Sequence, residues 1–293
     1  MHGEGDGCEG SQPPGSPGRI FILAPMPEEA AALREDLGCH SWLEAAGARF
    51  ALGCGPYRAV TVDVSGMGKV AAAVAAQYAC DRWQPWLLLV SGVAGGIQPD
   101  TQVGDLVVPS EAIQHDYDAR PFSPVRSLIP HLGTAALEPD PRVSAITAAA
   151  CERYLASPAG SQARAMGLRQ DTGRVLGGAA LTGDQVITAG PARQELVSAF
   201  PAGACADMET AALAQVARQN GVAWAAVRMI SDTAENVDAG AVFDYLTTGA
   251  AKALSSIMRE TIDRLLDREP QPPAHPMTEH RHRADHPSLA GSR

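Results

Sequence analysis

Acidic residues stand just beyond several strand-like runs of this 293-residue chain. Glu28 and Glu29 follow the apolar run at 20–24, Asp207 and Glu209 flank Met208 after the run at 203–206, and Asp232 follows Ser231 after the run at 227–230. Grouped carboxylates donate and accept protons in general acid–base catalysis, or steady a cation as it forms. Each also has an ordinary structural reading. Glu28, Glu29 and Glu209 fall in the first turns of expected helices, where the helix dipole favours a negative charge. Asp207 suits an N-cap and Asp232 suits a turn. Taken singly, the structural reading is the stronger. Taken together, Glu29, Glu209 and Asp232 come from distant parts of the chain to one edge of one sheet, and a shared chemical task explains that better.

The elements that must bring them there alternate. Extended runs at 20–24, 59–64, 86–90, 104–108, 174–181 and 223–230 are interleaved with helical patterns at 27–37, 69–82, 141–155, 208–218 and 243–266. This order predicts an α/β fold, a mainly parallel sheet covered by helices on both faces. Leu87-Leu88-Leu89-Val90 is apolar at every position, as a central strand requires. Pro27 suits a first helical position. In open sheets of this kind ligands bind beyond the carboxyl ends of the strands, where these acids lie. The stretch 123–140 is expected to be one long irregular loop. Residues 1–18, rich in Gly, Pro and Ser, and 268–293, rich in Pro and His, are expected to be disordered tails, leaving one domain over 19–267. The second tail includes His280 and His282; a solvated tail explains them better than a metal site does.

Several function classes are excluded. The net charge of −10 opposes binding to nucleic acid, and 5 Phe, 4 Trp and 5 Tyr are too few to suggest a base-stacking surface. Cys8, Cys39, Cys54, Cys80, Cys151 and Cys205 form no C-x-x-C pair, so neither a zinc knuckle nor a disulfide framework is indicated. No apolar run approaches a membrane span, and the first residues lack the pattern of a signal peptide, so a cytoplasmic protein without a membrane partner is expected. Gly92-Val93-Ala94-Gly95-Gly96 lacks dinucleotide-site spacing and reads as a tight turn that lets backbone approach a ligand. Gly66-Met67-Gly68-Lys69 lacks the upstream glycine and following hydroxyl of a phosphate-binding loop, and no G-x-S-x-G elbow is present.

Six collinear segments then resemble one family. They are 24–29 (Ala-Pro-Met-Pro-Glu-Glu), 65–72 (Ser-Gly-Met-Gly-Lys-Val-Ala-Ala), 90–96, 103–108 with 115–119 (Val-Gly-Asp-Leu-Val-Val and His-Asp-Tyr-Asp-Ala), 207–212 (Asp-Met-Glu-Thr-Ala-Ala) and 227–232 (Val-Arg-Met-Ile-Ser-Asp). Over residues 19–266 the chain is similar to the methylthioadenosine/S-adenosylhomocysteine nucleosidases, within the wider superfamily of nucleoside phosphorylases and nucleosidases. The resemblance implies a single-domain three-layer α/β/α fold with a mixed, mainly parallel twisted sheet. It implies hydrolysis of an N-ribosidic bond in a 5′-substituted adenine nucleoside, without metal or cofactor. Asp232 would protonate the purine at N7, Glu29 would position and deprotonate the water, and Glu209 would hold the ribose hydroxyls, with Met208 packed on the sugar. Ser231 and Arg228 would organise the acid, and backbone near Ile187 would read the purine. Met26, Met67, Val93, Ala94, Gly95, Val186 and Asp207 complete the implied site. A homodimer is also implied, in which Phe122 and Pro130 cover the partner's 5′ pocket and Phe243 forms a wall over it.

The chain departs from the family pattern in three places. Val93 stands where many relatives carry a hydroxyl, Asp207 replaces a Glu, and Gln185-Val186 replaces a small–aromatic pair, leaving an aliphatic purine face. Phosphorolysis is the nearest alternative. It is disfavoured because Glu28 and Glu29 stand where phosphorylases of the superfamily carry arginine, and phosphate needs cationic ligands. Hydrolysis of another 5′-substituted nucleoside, such as aminodeoxyfutalosine, stays open. A nucleoside-binding sensor without turnover is the non-enzymatic alternative, disfavoured because a binder needs no general acid.

Overall fold

A computed structural model of the chain describes residues 19–160, 173–188, 190–233, 240, 244–245 and 249–267. The two expected tails and Phe243 lie outside the described residues. In chain order the elements are β1 (Ile20–Leu23), α1 (Pro27–Asp36), β2 (Ser41–Ala45), β3 (Ala48–Leu52), β4 (Val60–Val64), α2 (Lys69–Trp83), β5 (Leu87–Gly96), β6 (Leu106–Val107) and β7 (Glu111–Gln114). They continue as α3 (Pro141–Ala156), β8 (Val175–Leu176), β9 (Ala179–Thr182), α4 (Gly190–Ala199), β10 (Gly203–Asp207), α5 (Thr210–Asn220), β11 (Ala223–Asp232) and α6 (Ala251–Leu266).

The strands form one mixed sheet, in which β2-β3-β4-β1-β5-β10-β9-β7 are neighbours in that order and β11 pairs with β5 and β6. β1 lies parallel between β4 and β5, and β11 runs parallel to β5 along nearly its whole length. Alternation along β5 divides the core. Leu87 and Leu89 face a cluster with Leu33 of α1, Val143 of α3 and Ile257 of α6. Leu88 and Val90 face the opposite cluster, with Ala72, Ala76 and Ala79 of α2 and Leu213 of α5. Three layers follow directly, because a strand apolar on both faces must be covered on both. The alanine face of α2 leaves room for α5 to pack against it, since small side chains let helices approach closely.

The structure differs from the sequence expectation in several elements. The segment 92–96 is not a tight turn; β5 continues through it, paired with β11 as far as Gly95 and with β10 at Gly95 and Gly96. Hydrogen bonding on both edges outweighs the weak strand preference of glycine. The run at 174–181 splits at Gly177-Gly178. Gly178 has φ +117°, and a Cβ there would sit 2.8 Å from the Ala202 carbonyl. The helix expected from 208 starts at Thr210, with Glu209 as its N-cap residue. β7, α4 and the β2–β3 hairpin were not anticipated. The hairpin turns on Ala46 and Gly47, both at positive φ, without the Asn-Gly or Asp-Gly signal that usually marks such turns. It is braced by Trp42, whose ring lies under the guanidinium groups of both Arg34 and Arg49. The stretch 123–140 has no named strand or helix, as expected, and makes only isolated bridges, such as Ala112 with Leu137.

No helix among the described residues is long and apolar enough to cross a membrane. Cys39, Cys54, Cys80, Cys151 and Cys205 are free thiols, and burial pushes Cys39 and Cys151 up to about 12, which keeps them unreactive.

Phe50 is fully buried between strand and helix layers, with the rings of Phe21, Tyr78 and Trp83 around it. Phe50→Ala is expected to lower unfolding free energy by about 3–5 kcal/mol, read as a fall in the urea midpoint; an unchanged midpoint would remove this cluster from the account of stability.

Candidate active site

α1 begins immediately after β1, and its third residue is Glu29. The side chain turns back over the helix start, so that Oε2 accepts from the Met26 amide at 3.0 Å, half of a capping box. The other oxygen leaves the helix. Oε1 accepts from the Val93 amide of β5 at 2.9 Å. Glu29 is thus fixed at both oxygens and only 5% exposed. Gly92 makes this approach possible, since a Cβ there would lie 2.6 Å from Glu29 Oε1 and 2.7 Å from Arg228 Nη1.

Arg228, on β11 opposite Gly92, is buried with 1% exposure. Its guanidinium meets two carboxylates, with Nη2 donating to Glu209 Oε2 at 3.0 Å and Nε lying 3.0 Å from Asp207 Oδ2. It also donates to Thr210 Oγ1 and, through Nη1, to the Val93 carbonyl at 3.3 Å. Asp207 accepts from the Thr182 and Thr210 hydroxyls and from the Thr210 amide. Its carboxylate is therefore committed to the protein and positions Arg228. Glu209 keeps spare acceptor capacity. Its Oε1 accepts from the Gly68 amide at 3.0 Å, and each carboxylate oxygen has a second lone pair.

Asp232 closes β11, past an irregularity between Ile230 and Asp232 that sets its Cα opposite Gly95. Ser231 Oγ lies 2.9 Å from Asp232 Oδ2 and 3.4 Å from the Ala94 carbonyl, so the hydroxyl ties the acid to β5. The three sequence-predicted carboxylates are therefore all anchored to one stretch of two paired strands, Val93–Gly95 against Arg228–Asp232. Met26, Val93, Gly95 and Met208 are partly exposed around it, while Ala94 and Ser231 are buried.

Other predicted positions lie on the rim. Ile187 is buried against Leu181 and Leu196, whereas Val186 is 62% and Met67 60% exposed. Phe122 is 96% exposed, and Pro130 is exposed on the same irregular segment. Phe243 lies outside the described residues. Sequence reasoning missed the supporting donors: the Gly68 amide, the hydroxyls of Thr182 and Thr210, and the clearance at Gly92. Thr210 had a usable signal, since a hydroxyl one residue after Glu209 falls at the helix start. Thr182 and Gly68 had none, because their partners are distant in sequence. Among the described residues no group of three His, Cys, Asp or Glu is placed to hold a metal ion.

The electrostatics suit proton transfer. Burial pushes the Glu29 carboxyl up to about 7, against the pull of Arg228 and the two amides and with a further push from Glu209. Burial raises Glu209 as well, opposed by Arg228 and assisted by Asp207. Burial is the largest influence on both, so Glu29 and Glu209 hold protons at a pH where free carboxylates have lost them.

The family model of the Phosphorylase superfamily matches residues 19–263. A 5′-methylthioadenosine/S-adenosylhomocysteine nucleosidase from Tolumonas auensis is 29% identical over 240 residues, covering 82% of this chain and 97% of the relative. The solved structure of a 5′-methylthioadenosine/S-adenosylhomocysteine nucleosidase from Colwellia psychrerythraea, in complex with adenine, is 30% identical with a TM-score of 0.72, covering 85% of this chain and 96% of that one. A futalosine hydrolase mutant from Helicobacter pylori is 25% identical with a TM-score of 0.70, covering 84% and 99%.

The raised Glu29 carboxyl has a thermodynamic signature. Its folded-state value of about 7 stands above the ordinary 4.5, so its stabilising contribution is complete below about pH 4.5 and is lost as pH rises through about 7. Glu29→Gln is expected to flatten the fall in stability over this window, an effect on the order of 3 kcal/mol, measured by urea unfolding at several pH values. Parallel pH profiles for the two proteins would refute it.

Proposed function

The chain belongs to the phosphorylase superfamily and, within it, to the 5′-methylthioadenosine/S-adenosylhomocysteine nucleosidases, and we propose that its site hydrolyses the N-ribosidic bond of a 5′-substituted adenine nucleoside and releases adenine. The observation that carries this reading is the anchoring of Glu29, Glu209 and Asp232 to one pair of strands. Cleavage of such a bond passes through an oxocarbenium-like state. The base must leave with a proton, the sugar cation must be steadied, and water must enter from the opposite face.

In this reading Asp232 gives its proton to N7 of the purine, held toward it by Ser231. The C1′–N bond breaks with its electrons going to the base. Glu209 takes hydrogen bonds from the ribose hydroxyls on its free lone pairs and lends electron density to the cation, while Met208 lies against the sugar. Water adds its oxygen to C1′ and passes a proton to Glu29, whose raised carboxyl matches proton exchange near neutrality. The products are adenine and a 5-substituted ribose. Arg228 keeps Glu209 in place.

Water is favoured over phosphate as the nucleophile for an electrostatic reason. Arg228 is engaged by both Asp207 and Glu209, and a phosphate dianion would face Glu29 without a counter-cation. At the 5′ end we assign Phe122 and Pro130 to the site of a second copy. The exposed apolar surface of Phe122, Val125, Val70 and Met67 supports a homodimer. The five free cysteines among the described residues fit a cytoplasmic location.

Adenine release is measured with methylthioadenosine, S-adenosylhomocysteine, 5′-deoxyadenosine and aminodeoxyfutalosine in parallel, with and without inorganic phosphate. The expected result is phosphate-independent release from at least one, and a loss of about 10²–10⁴-fold in kcat in Asp232→Asn with inhibitor binding partly retained. Formation of ribose 1-phosphate products, or full activity in Asp232→Asn, would overturn the reading.

A further inference from the structure

One ionic cluster beside the site is not used by the chemistry above. The helix α2 starts at Lys69 behind Gly68, an N-cap without a side chain to accept from the first turn. Distant carboxylates do it instead. The Gly68 amide donates to Glu209 Oε1 at 3.0 Å, and the next amide, that of Lys69, donates to Asp184 Oδ1 at 2.8 Å. The Lys69 ammonium donates to Asp116 Oδ1 at 2.6 Å and lies 3.8 Å from Asp184 Oδ2. Asp116 Oδ2 in turn accepts from the Asp184 amide at 2.9 Å. Three segments distant in the chain are closed into a ring.

Asp184 stands two residues before Val186 on the segment that leads to Ile187. The segment is seated from below, because the ring of His115 lies against Gly183 where a Cβ would collide with it. The same residue is tied to the Asp207 strand, as the Gly183 amide donates to the Asp207 carbonyl at 3.0 Å. Gly68 leaves Asp184 the room it needs, since a Cβ there would lie 3.2 Å from Asp184 Oδ1. Burial works against ionisation of Asp116, but the Lys69 ammonium and the Asp184 amide outweigh it and hold its carboxyl below the usual range. The side chains of Asp184, Asp116 and Lys69 are 49%, 26% and 17% exposed. The ring reaches solvent at Asp184, and ion pairs open to water add little to stability. What they determine is where two consecutive amides point.

The geometry points to Asp184 as a positioning residue that, with Lys69 and Asp116, clasps the 182–187 segment to the start of α2 and so aims the Gly68 amide at Glu209. The consequence is that the segment assigned to the base and the carboxylate assigned to the ribose are registered against each other through one helix terminus. This rests on the functional reading given above, and deepens it.

The test is a mutant cycle in adenine release, with folding checked by thermal unfolding. Asp184→Ala is expected to lower kcat by about 10–100-fold with little change in KM, and Asp184→Asn, which keeps an oxygen for the Lys69 amide, to lose less. In a Glu209→Gln background Asp184→Ala is expected to cost under about 3-fold, because the charge being aimed is gone. Equal fold-losses in both backgrounds would overturn the clasp and leave the hydrolase reading intact. Hydrogen exchange at the Gly68 and Lys69 amides reads the clasp without substrate. Both are expected to exchange at least about 10-fold faster in Asp184→Ala, and unchanged exchange would overturn the proposal even if the wild-type chain released no adenine.

Discussion

A buried guanidinium without compensation costs several kcal/mol, and the arrangement around Arg228 is the set of contacts that removes that cost. Asp207 supplies one carboxylate and is itself saturated by Thr182 and Thr210, so it acts as a fixed counter-charge. Glu209 supplies the second and keeps free lone pairs. The Val93 carbonyl takes a third contact, from the same residue whose amide binds Glu29. One cation therefore sets the position of one acid directly and of another through a single residue, Val93. Burial outweighs the pull of that cation and raises both Glu29 and Glu209.

The strand pair β5–β11 turns this local balance into a site. Both strands run ten residues, and parallel register places Arg228 opposite Gly92 and Asp232 opposite Gly95. The missing side chain at Gly92 leaves the room in which the guanidinium and Glu29 approach each other. Helix starts do the rest, with α1 delivering Glu29 and the turn before α5 delivering Glu209.

Alternating periodicity and apolar runs made the layers legible in the sequence, because burial on both faces of 87–90 leaves an unmistakable pattern. The three acids were legible as well, since strand ends followed by carboxylates are local features. What escaped was set by pairing across long separations. Glycines 92–96 read locally as a turn, yet partners on both edges hold them extended. The Ala46-Gly47 hairpin has no standard turn signal. Lys69, Asp116 and Asp184 are each unremarkable alone, and only the tertiary fold makes them neighbours. Asp207 was expected to complete the ligand site, while the structure turns its oxygens toward Arg228 and two threonines; the contact with the Thr210 amide has the spacing of a helix cap, but those with Thr182 and Arg228 depend on residues distant in sequence.

Several anchoring groups of the site, the Val93 amide and carbonyl and the Ala94 carbonyl, are backbone within the sheet's longest strand pair. Such backbone comes apart only when the whole sheet does, so breathing of the framework cannot admit or expel a ligand. Traffic must therefore pass through the margins, along the partly exposed stretch 119–130, and heating should blunt the entry route well before it distorts the catalytic floor.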